Sequence, residues 1–212
     1  MGVNLGSTLP DFASMFRDYH EQDVTVKGID PDVDAGIAFH LRTDAVYDGR
    51  SEKPQMTTLL GDALLERGLS RGAARLTSAF LADLMLDGAL LGEQDPRRAF
   101  MQLRHYIIRE TSALDNDSFD SAFANSVKTY FGRGLPRHYQ DPLRMATIAQ
   151  ERLVRRATTE AQVQKYTFPE DKVPEVAKVI KVNTKPIWDL GLNALDATVH
   201  LLEIEETNGH LF

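Results

Sequence analysis

The sequence contains no cysteine, which removes several classes of site at once. Without thiols the chain forms no disulfide, no thiolate zinc site and no cysteine nucleophile, and it suits a reducing cytosol. Its apolar runs all fall short of the ~20 residues that a membrane-spanning helix needs. The stretch MGVNLGSTLP has no basic segment followed by an apolar one, so we expect no signal peptide. These absences predict a cytoplasmic protein that does not span a membrane.

Charge is unevenly distributed along the chain. The net charge of the 212 residues is −7, yet residues 1–48 hold nine acidic against three basic side chains and residues 133–185 hold eleven basic against six acidic ones. This asymmetry fits a cation site beside a basic surface for an anionic partner or substrate, and it fits a mixed surface without a partner equally well. The acidic balance, with no basic run among aromatics, disfavours nucleic-acid binding.

Helix patterns dominate the sequence. No run alternates between apolar and polar residues beside an Asn-Gly or Asp-Gly turn, and the best strand candidate, residues 23–29, is short. Helices are expected at about 32–48, 55–68, 71–91, 96–114, 117–130, 142–165, 169–182 and 185–206. The fold class is therefore all-α, a single-domain helical bundle of about seven to nine helices.

Local start and stop residues support several of these boundaries. Ser70 is a helix N-cap, Gly68 and Gly92 are helix stops, and Asp95-Pro96 and Asp141-Pro142 each join a cap to a proline in the first turn. The loop 132–136 is one plausible boundary, but the long helix after it would pack back on the first half. We therefore predict one domain over residues 1–212, with a metal-site half at about 1–92 and a basic helical half at about 93–212.

Two helices carry acidic residues at four-residue steps. Asp83 and Asp87 lie in the mostly apolar stretch 70–92, and His40, Asp44 and Asp48 lie in DVDAGIAFHLRTDAVYD. Such steps bring side chains to one face of a helix. Imidazole and carboxylate groups bind Mn²⁺, Mg²⁺ or Fe²⁺, and a buried carboxylate needs a cation or donors. The pattern predicts a metal site built between helices.

Plainer interpretations of these residues stay open. Asp83 or Asp87 fits the solvent edge of an amphipathic helix, and a lone helical histidine such as His40 is usually structural. Asp11 follows Pro10 in GSTLPDF, where a helix cap is the favoured interpretation. The face of the last helix around Leu195 to Leu202 fits either the core or an interface.

The first 92 residues resemble the bacterial acyl carrier protein phosphodiesterases. That family combines a Gly-Asn-Leu-x-x-Asp-Phe element with a Val-x-x-Gly-Ile-x-x-His-Arg-x-Ile-Asp-x-x-Thr-Asp element and an Asp-x-x-x-Asp-His helix. ADLMLDGALL is similar to that helix, and QERLVRRATT is loosely similar to a later arginine-rich element. The chain keeps the family residues Gly6, Leu9, Asp11, Phe12, Val33, Gly36, Ile37, His40, Asp44, Asp48, Asp83 and Asp87.

The resemblance implies a helical fold akin to the HD-type metal phosphohydrolases. It also implies hydrolysis of the phosphodiester that joins 4′-phosphopantetheine to a serine of holo-acyl carrier protein, an activity linked to fatty acid biosynthesis. The cofactor it implies is a divalent cation, Mn²⁺ or Mg²⁺, with Fe²⁺ as a further option. The implied metal ligands are Asp11, His40, Asp44, Asp83 and Asp87.

Further roles follow from the same resemblance. Asp11, Asp83 and Asp87 are the candidate catalytic acids, and Asp48 supports or orients a ligand. Arginines are the candidates for contact with the phosphate or with an acidic carrier protein, and the open alternative is that they belong to solvated helix faces. They are Arg42, Arg152, Arg155 and Arg156.

The chain departs from the family pattern at three places. It has Gly88 where the family has histidine and Leu41 where the family has arginine, and it lacks the histidine-containing helix that precedes Asp11. These departures favour an alternative, a non-catalytic helical protein that kept the fold and lost a complete metal site.

Overall fold

The computed structural model describes residues 8–20, 24, 31–113, 121–132 and 137–207, and these residues are helical apart from turns and short connections. No strand occurs among them. The predicted all-α class is confirmed for this part of the chain. The α-helices are α1 (Leu9–His20), α2 (Pro31–Asp48), α3 (Glu52–Glu66), α4 (Arg71–Leu90), α5 (Gln94–Ala113), α6 (Ser121–Gly132), α7 (Pro142–Arg156), α8 (Glu160–Tyr166) and α9 (Val173–Thr207). Two short 3₁₀-helices cover Arg137–Gln140 and Glu170–Lys172.

The residues at the helix ends explain several boundaries. The Ser70 hydroxyl accepts a hydrogen bond from the Ala73 amide at 3.2 Å, and the Asp141 carboxylate accepts one from the Leu143 amide at 2.9 Å. Each bond satisfies a donor that the first helical turn leaves unpaired. Gly68 has a φ of 81°, a conformation that favours glycine, and it follows the end of α3. These three predicted signals are confirmed.

The chain forms two compact units, each with its own core. The first contains α1, α2 up to Val46, α5 and α6. Its core includes Phe16 and Phe123, whose rings meet edge to face with centroids 5.4 Å apart. The other buried core residues of this unit are Leu9, Val33, Ile37, Ile107, Val127 and Phe131.

The second unit contains Tyr47–Glu93 and Arg137–Thr207. Helix α4 packs against α3, α7, α8, α9 and the first 3₁₀-helix. Its buried residues therefore extend around much of its circumference, and they include Ala73, Leu81, Ala82 and Met85. The division into halves at residue 92 does not follow these units, and the single domain over 1–212 stays a prediction.

The helix expected over 142–165 is in fact two helices, so that prediction is wrong. Helix α7 ends at Arg156, Ala157 and Thr159 are extended, and α8 begins at Glu160. The Thr159 hydroxyl accepts a hydrogen bond from the Gln162 amide at 3.2 Å. A threonine in an extended conformation is a good N-cap, so the local sequence starts a new helix there.

The two helices expected at 169–182 and 185–206 are one continuous helix, α9, with Pro186 inside it. A proline removes the hydrogen bond to the carbonyl four residues earlier, that of Val182. Val182 is exposed, as is Pro186, so water can satisfy that carbonyl. Asn183 and Ile187 are buried beside the proline and hold the helix against the core.

Two predicted features lie outside the described residues. They are the strand at 23–29, of which only Val24 is described, and the first residues of the helix expected at 117–130, which is described from residue 121. Among the described helices, none combines the length and the apolar character needed to cross a bilayer.

Candidate metal centre

Three of the predicted ligands lie together in the first unit. Asp11 is in the first turn of α1, and His40 and Asp44 are one turn apart on α2. The His40 Nε2 atom lies 3.1 Å from an Asp44 carboxylate oxygen and 3.8 Å from an Asp11 carboxylate oxygen. We call these three residues the His40 cluster. Its imidazole is 13% exposed, while the carboxylates of Asp11 and Asp44 are 74% and 56% exposed.

The donor types of the His40 cluster suit a divalent cation. One imidazole nitrogen and two carboxylates form a mixed nitrogen and oxygen set of the kind that Mn²⁺, Fe²⁺ and Mg²⁺ accept. In the part of the chain that the structure describes, no group of three or more histidine or acidic side chains is arranged to hold a metal ion. The side chains of the cluster contact one another across two helices, on a face that solvent reaches through the carboxylates.

A second cluster lies in the second unit around the ammonium group of Lys53. Lys53, in the first turn of α3, forms an ion pair with Asp83 and has its Nζ atom 3.4 Å from an Asp48 carboxylate oxygen. The same Nζ atom lies 4.9 Å from the centre of the Tyr47 ring. We call Tyr47, Asp48, Lys53 and Asp83 the Lys53 cluster. A lysine side chain that is 17% exposed therefore supplies the cation for two predicted site carboxylates.

Of the two interpretations left open for Asp83 and Asp87, the structure shows the solvent edge of an amphipathic helix. Both are exposed, and the Asp83 side chain is 52% exposed. The two residues occupy the narrow solvent-facing strip of α4, whose other positions are largely buried. The sequence does not reveal this exposed strip, because residues adjacent in the sequence lie on different faces of a helix, and the apolar neighbours of Asp83 and Asp87 belong to its buried faces. Because the carboxylates of Asp83 and Asp87 are not buried, they do not need a metal ion to offset the cost of burying a charge.

Lys53 and Tyr47 were not among the predicted site residues. The sequence signal for Lys53 was its position, since it follows Asp48 across a short turn and lies in the first turn of the next helix. Burial raises the pKa of Tyr47 well above its usual range, and the charges of Asp83, Asp48 and Asp87 raise it further. Tyr47 therefore stays a neutral phenol, and its environment shows that Asp87 also lies near the Lys53 cluster.

The predicted arginines have separate surroundings. Arg152 lies over the Phe80 ring, with its guanidinium carbon 4.6 Å from the ring centre. Arg155 forms an ion pair with Glu151 at 3.8 Å, one turn earlier on α7. Arg156 and Arg42 are exposed. Arg152, Arg155 and Arg156 lie near the end of α7 in the second unit, while Arg42 belongs to the first.

Gly88, where the resembled family has histidine, is closed to any side chain. A Cβ atom built on Gly88 would lie 1.8 Å from the carbonyl oxygen of Tyr139 in the first 3₁₀-helix. The backbone of that helix therefore occupies the space that a side chain would need. A histidine cannot be restored here without moving this helix away from α4.

Comparisons of the chain with models of known protein families, with curated proteins and with solved structures find no match. The likeness to acyl carrier protein phosphodiesterases therefore rests on the residues quoted above.

Proposed function

We propose that this chain is a divergent metal-dependent phosphodiesterase with the helix arrangement of the HD-type phosphohydrolases. Its substrate would be holo-acyl carrier protein, from which it releases 4′-phosphopantetheine, or a related phosphoester. The observation that supports this proposal is the His40 cluster. Asp11, His40 and Asp44 come from two elements of the family pattern, and their side chains meet across α1 and α2.

The proposed roles follow from the chemistry of these groups. A bound divalent cation would polarise a phosphoryl oxygen and lower the pKa of a bound water. His40 and the carboxylates of Asp11 and Asp44 would hold that cation. Asp83, Asp87 and Asp48 belong to the second unit. The assignment of Asp83 and Asp87 as catalytic acids and of Asp48 as a residue that orients a ligand comes from the resemblance alone.

A carrier protein is acidic and meets a chain of net charge −7, so the encounter needs a local basic surface. The end of α7 offers one. Arg155 and Arg156 are exposed there, and Arg152 is held over Phe80. Arg42 is the candidate for the phosphate in the first unit. These assignments belong to the same proposal.

Two observations favour the alternative, a helical protein without catalysis. Lys53 already pairs with Asp83 and Asp48, and the packing at Gly88 leaves no room for the family histidine. The first observation gives two of the resembled site's carboxylates a cation other than a metal ion, and the second excludes one of its histidines.

Hydrolysis of bis(p-nitrophenyl) phosphate in the presence of Mn²⁺ tests the proposal. We expect turnover that is lost on chelation and lost in the His40→Asn variant. The matched control is Asp62→Asn, which changes an exposed acid on α3 outside both clusters. Turnover would justify the assay of 4′-phosphopantetheine release from holo-acyl carrier protein. A folded protein that binds Mn²⁺ but hydrolyses neither substrate would favour the alternative.

A further inference from the structure

The exposed face of α9 carries opposite charges at its two ends. Lys178, Val182 and Lys185 are spaced four and three residues apart in its first half. Glu203, Val199 and Asp196 show the same spacing when the second half is read backwards. Lys185 and Asp196 are eleven positions apart, about three helical turns, so all six side chains project from one side of the helix. All six are exposed.

The apolar members of this face are unusual in their exposure. Val182 is 73% exposed and Val199 is 53% exposed. Among the described residues, these are the two most exposed large apolar side chains. Each lies one turn or less from charges of a single sign, lysines beside Val182 and acids beside Val199. Single apolar residues on a surface are common, but these two occupy equivalent positions in a pattern that reverses only its charge.

We propose that this face pairs with the same face of a second copy of the chain in antiparallel orientation. A two-fold axis between Leu190 and Gly191 brings Lys178 opposite Glu203, Lys185 opposite Asp196 and Val182 opposite Val199 of the second copy. Each contact occurs twice, as a two-fold interface requires. A parallel pairing in register would place like charges against each other, so the charges select the antiparallel orientation.

The existing ion pairs of the lysines are compatible with this pairing. Lys178 contacts Glu175 at 2.6 Å, and Lys185 contacts Asp189 at 2.8 Å. An ammonium group has three donors and can bind a second carboxylate. Among the described residues the structure records no ion pair for Asp196 or Glu203. In the proposed register Lys181 faces His200, a pair without opposite charge, so it adds nothing to the attraction.

The expected dimer is weak and depends on salt. Its contacts are ion pairs at the surface and a few apolar side chains, each of which contributes little to the free energy of association. Sedimentation equilibrium of the protein at low ionic strength should therefore show a mass that approaches twice the 23.7 kDa of the chain as concentration rises. Added salt should shift the equilibrium to the monomer.

Charge reversal gives the decisive experiment. The variant Lys178→Glu with Lys185→Glu has an entirely acidic face, and the variant Asp196→Lys with Glu203→Lys has an entirely basic one. Each should be monomeric alone, and an equimolar mixture should form a heterodimer. The chain with all four substitutions should dimerise again, because acidic residues at 178 and 185 would then face basic residues at 203 and 196 of the second copy. The control, Arg97→Glu with Arg98→Glu on α5, makes the same change in net charge as the acidic double variant and should still dimerise.

The inference does not depend on the proposed function. Circular dichroism first establishes that each variant is folded, and the four-residue reversal serves if one double variant does not fold. A wild-type protein that stays monomeric at millimolar concentration would overturn the inference, and so would a dimer that survives either double reversal. If this face binds a different protein instead, the wild-type protein will stay monomeric at millimolar concentration.

Discussion

At the residue scale, Lys53 has the clearest structural role of the charged side chains described here. Its stem is largely buried, its ammonium contacts Asp83 and Asp48, and the Tyr47 ring lies beneath it. The carboxylates are half exposed, so water weakens each contact. The structural role of Lys53 is therefore to connect the turn after α2 with α4. Periodicity within one helix could not predict this, because the carboxylate of Asp83 belongs to a different helix.

Removing the ammonium of Lys53 should lower stability by about 1 kcal/mol. Lys53→Met keeps most of the apolar stem and leaves Asp48 and Asp83 without this cation. Urea unfolding of Lys53→Met, Asp83→Asn and the double variant completes a double-mutant cycle. We expect a positive coupling that shrinks with added salt. A coupling of zero would show that the two charges do not stabilise each other.

Tyr47→Phe should leave stability unchanged or raise it slightly. The Tyr47 hydroxyl is buried and has no hydrogen-bond partner among the described residues, so its removal relieves an unpaired polar group. The ring, which packs beside Lys53, is kept. Thermal unfolding compares this variant with Tyr47→Ala, which loses the ring and should be clearly less stable. A marked loss in Tyr47→Phe would mean that the hydroxyl makes a bond important to the fold.

At the scale of elements, close backbone contact fixes the helices around α4. The carbonyl of Tyr139 lies where a side chain of residue 88 would be, and the backbone of Lys165 similarly approaches Gly72. Glycine at both positions allows the neighbouring helices to approach α4 closely. These contacts also explain why Gly88 cannot be treated as a simple loss of histidine.

Gly88→Ala should therefore destabilise the protein by roughly 1–3 kcal/mol, the usual cost of overpacking. The matched control is Gly61→Ala on α3, where a new Cβ would lie 3.7 Å from the Ser78 hydroxyl, an ordinary contact. That change should be neutral or stabilising, because alanine favours a helix over glycine. Chemical denaturation measures both. Equal stability of the two variants would contradict the tight packing at Gly88.

Glu175 connects the end of α3 with the start of α9. It accepts a hydrogen bond from Lys178 at 2.6 Å and one from Arg67 at 3.1 Å. The Lys178 hydrogen bond, with these positive charges, holds the pKa of Glu175 below its ordinary value of 4.5. A lowered carboxyl pKa stabilises the fold above the unfolded pKa, and that stability is lost as the pH falls through the folded pKa.

Glu175→Gln should accordingly lower the melting temperature slightly at pH 7, by an amount that shrinks as the pH falls below about 4. Glu66→Gln, an exposed acid on α3, is the control and should show little change at either pH. A difference for Glu175→Gln that persists undiminished in acid would assign its effect to packing rather than charge.

Local sequence patterns predicted many of the helix boundaries, but not the features that depend on packing against other helices. Ser70, Asp141-Pro142 and Gly68 act on their own backbone, so their effects could be read from neighbouring residues. The continuity of α9 through Pro186 depends on buried residues on both sides of the proline. The break at Ala157–Thr159 had a local sign in Thr159, which the apolar periodicity around it concealed.

At the scale of the whole molecule, the candidate site was predicted in part. The four-residue step placed His40 beside Asp44, and the resemblance alone brought in Asp11, whose carboxylate approaches from another helix. Asp83 and Asp87 were correctly placed on one face of α4, but their exposure depends on which faces the other helices cover. The two compact units could not be predicted from the order of helices, because each combines segments distant in sequence.

The proposed function requires that the His40 cluster bind a divalent cation. Titration of the metal-free protein with Mn²⁺, followed by the loss of the free-ion electron paramagnetic resonance signal, measures this directly. We expect one bound Mn²⁺ per chain, with binding greatly weakened in Asp44→Ala and retained in Asp62→Ala. No binding by the wild-type protein, or equal binding by wild type and Asp44→Ala, would contradict the claim.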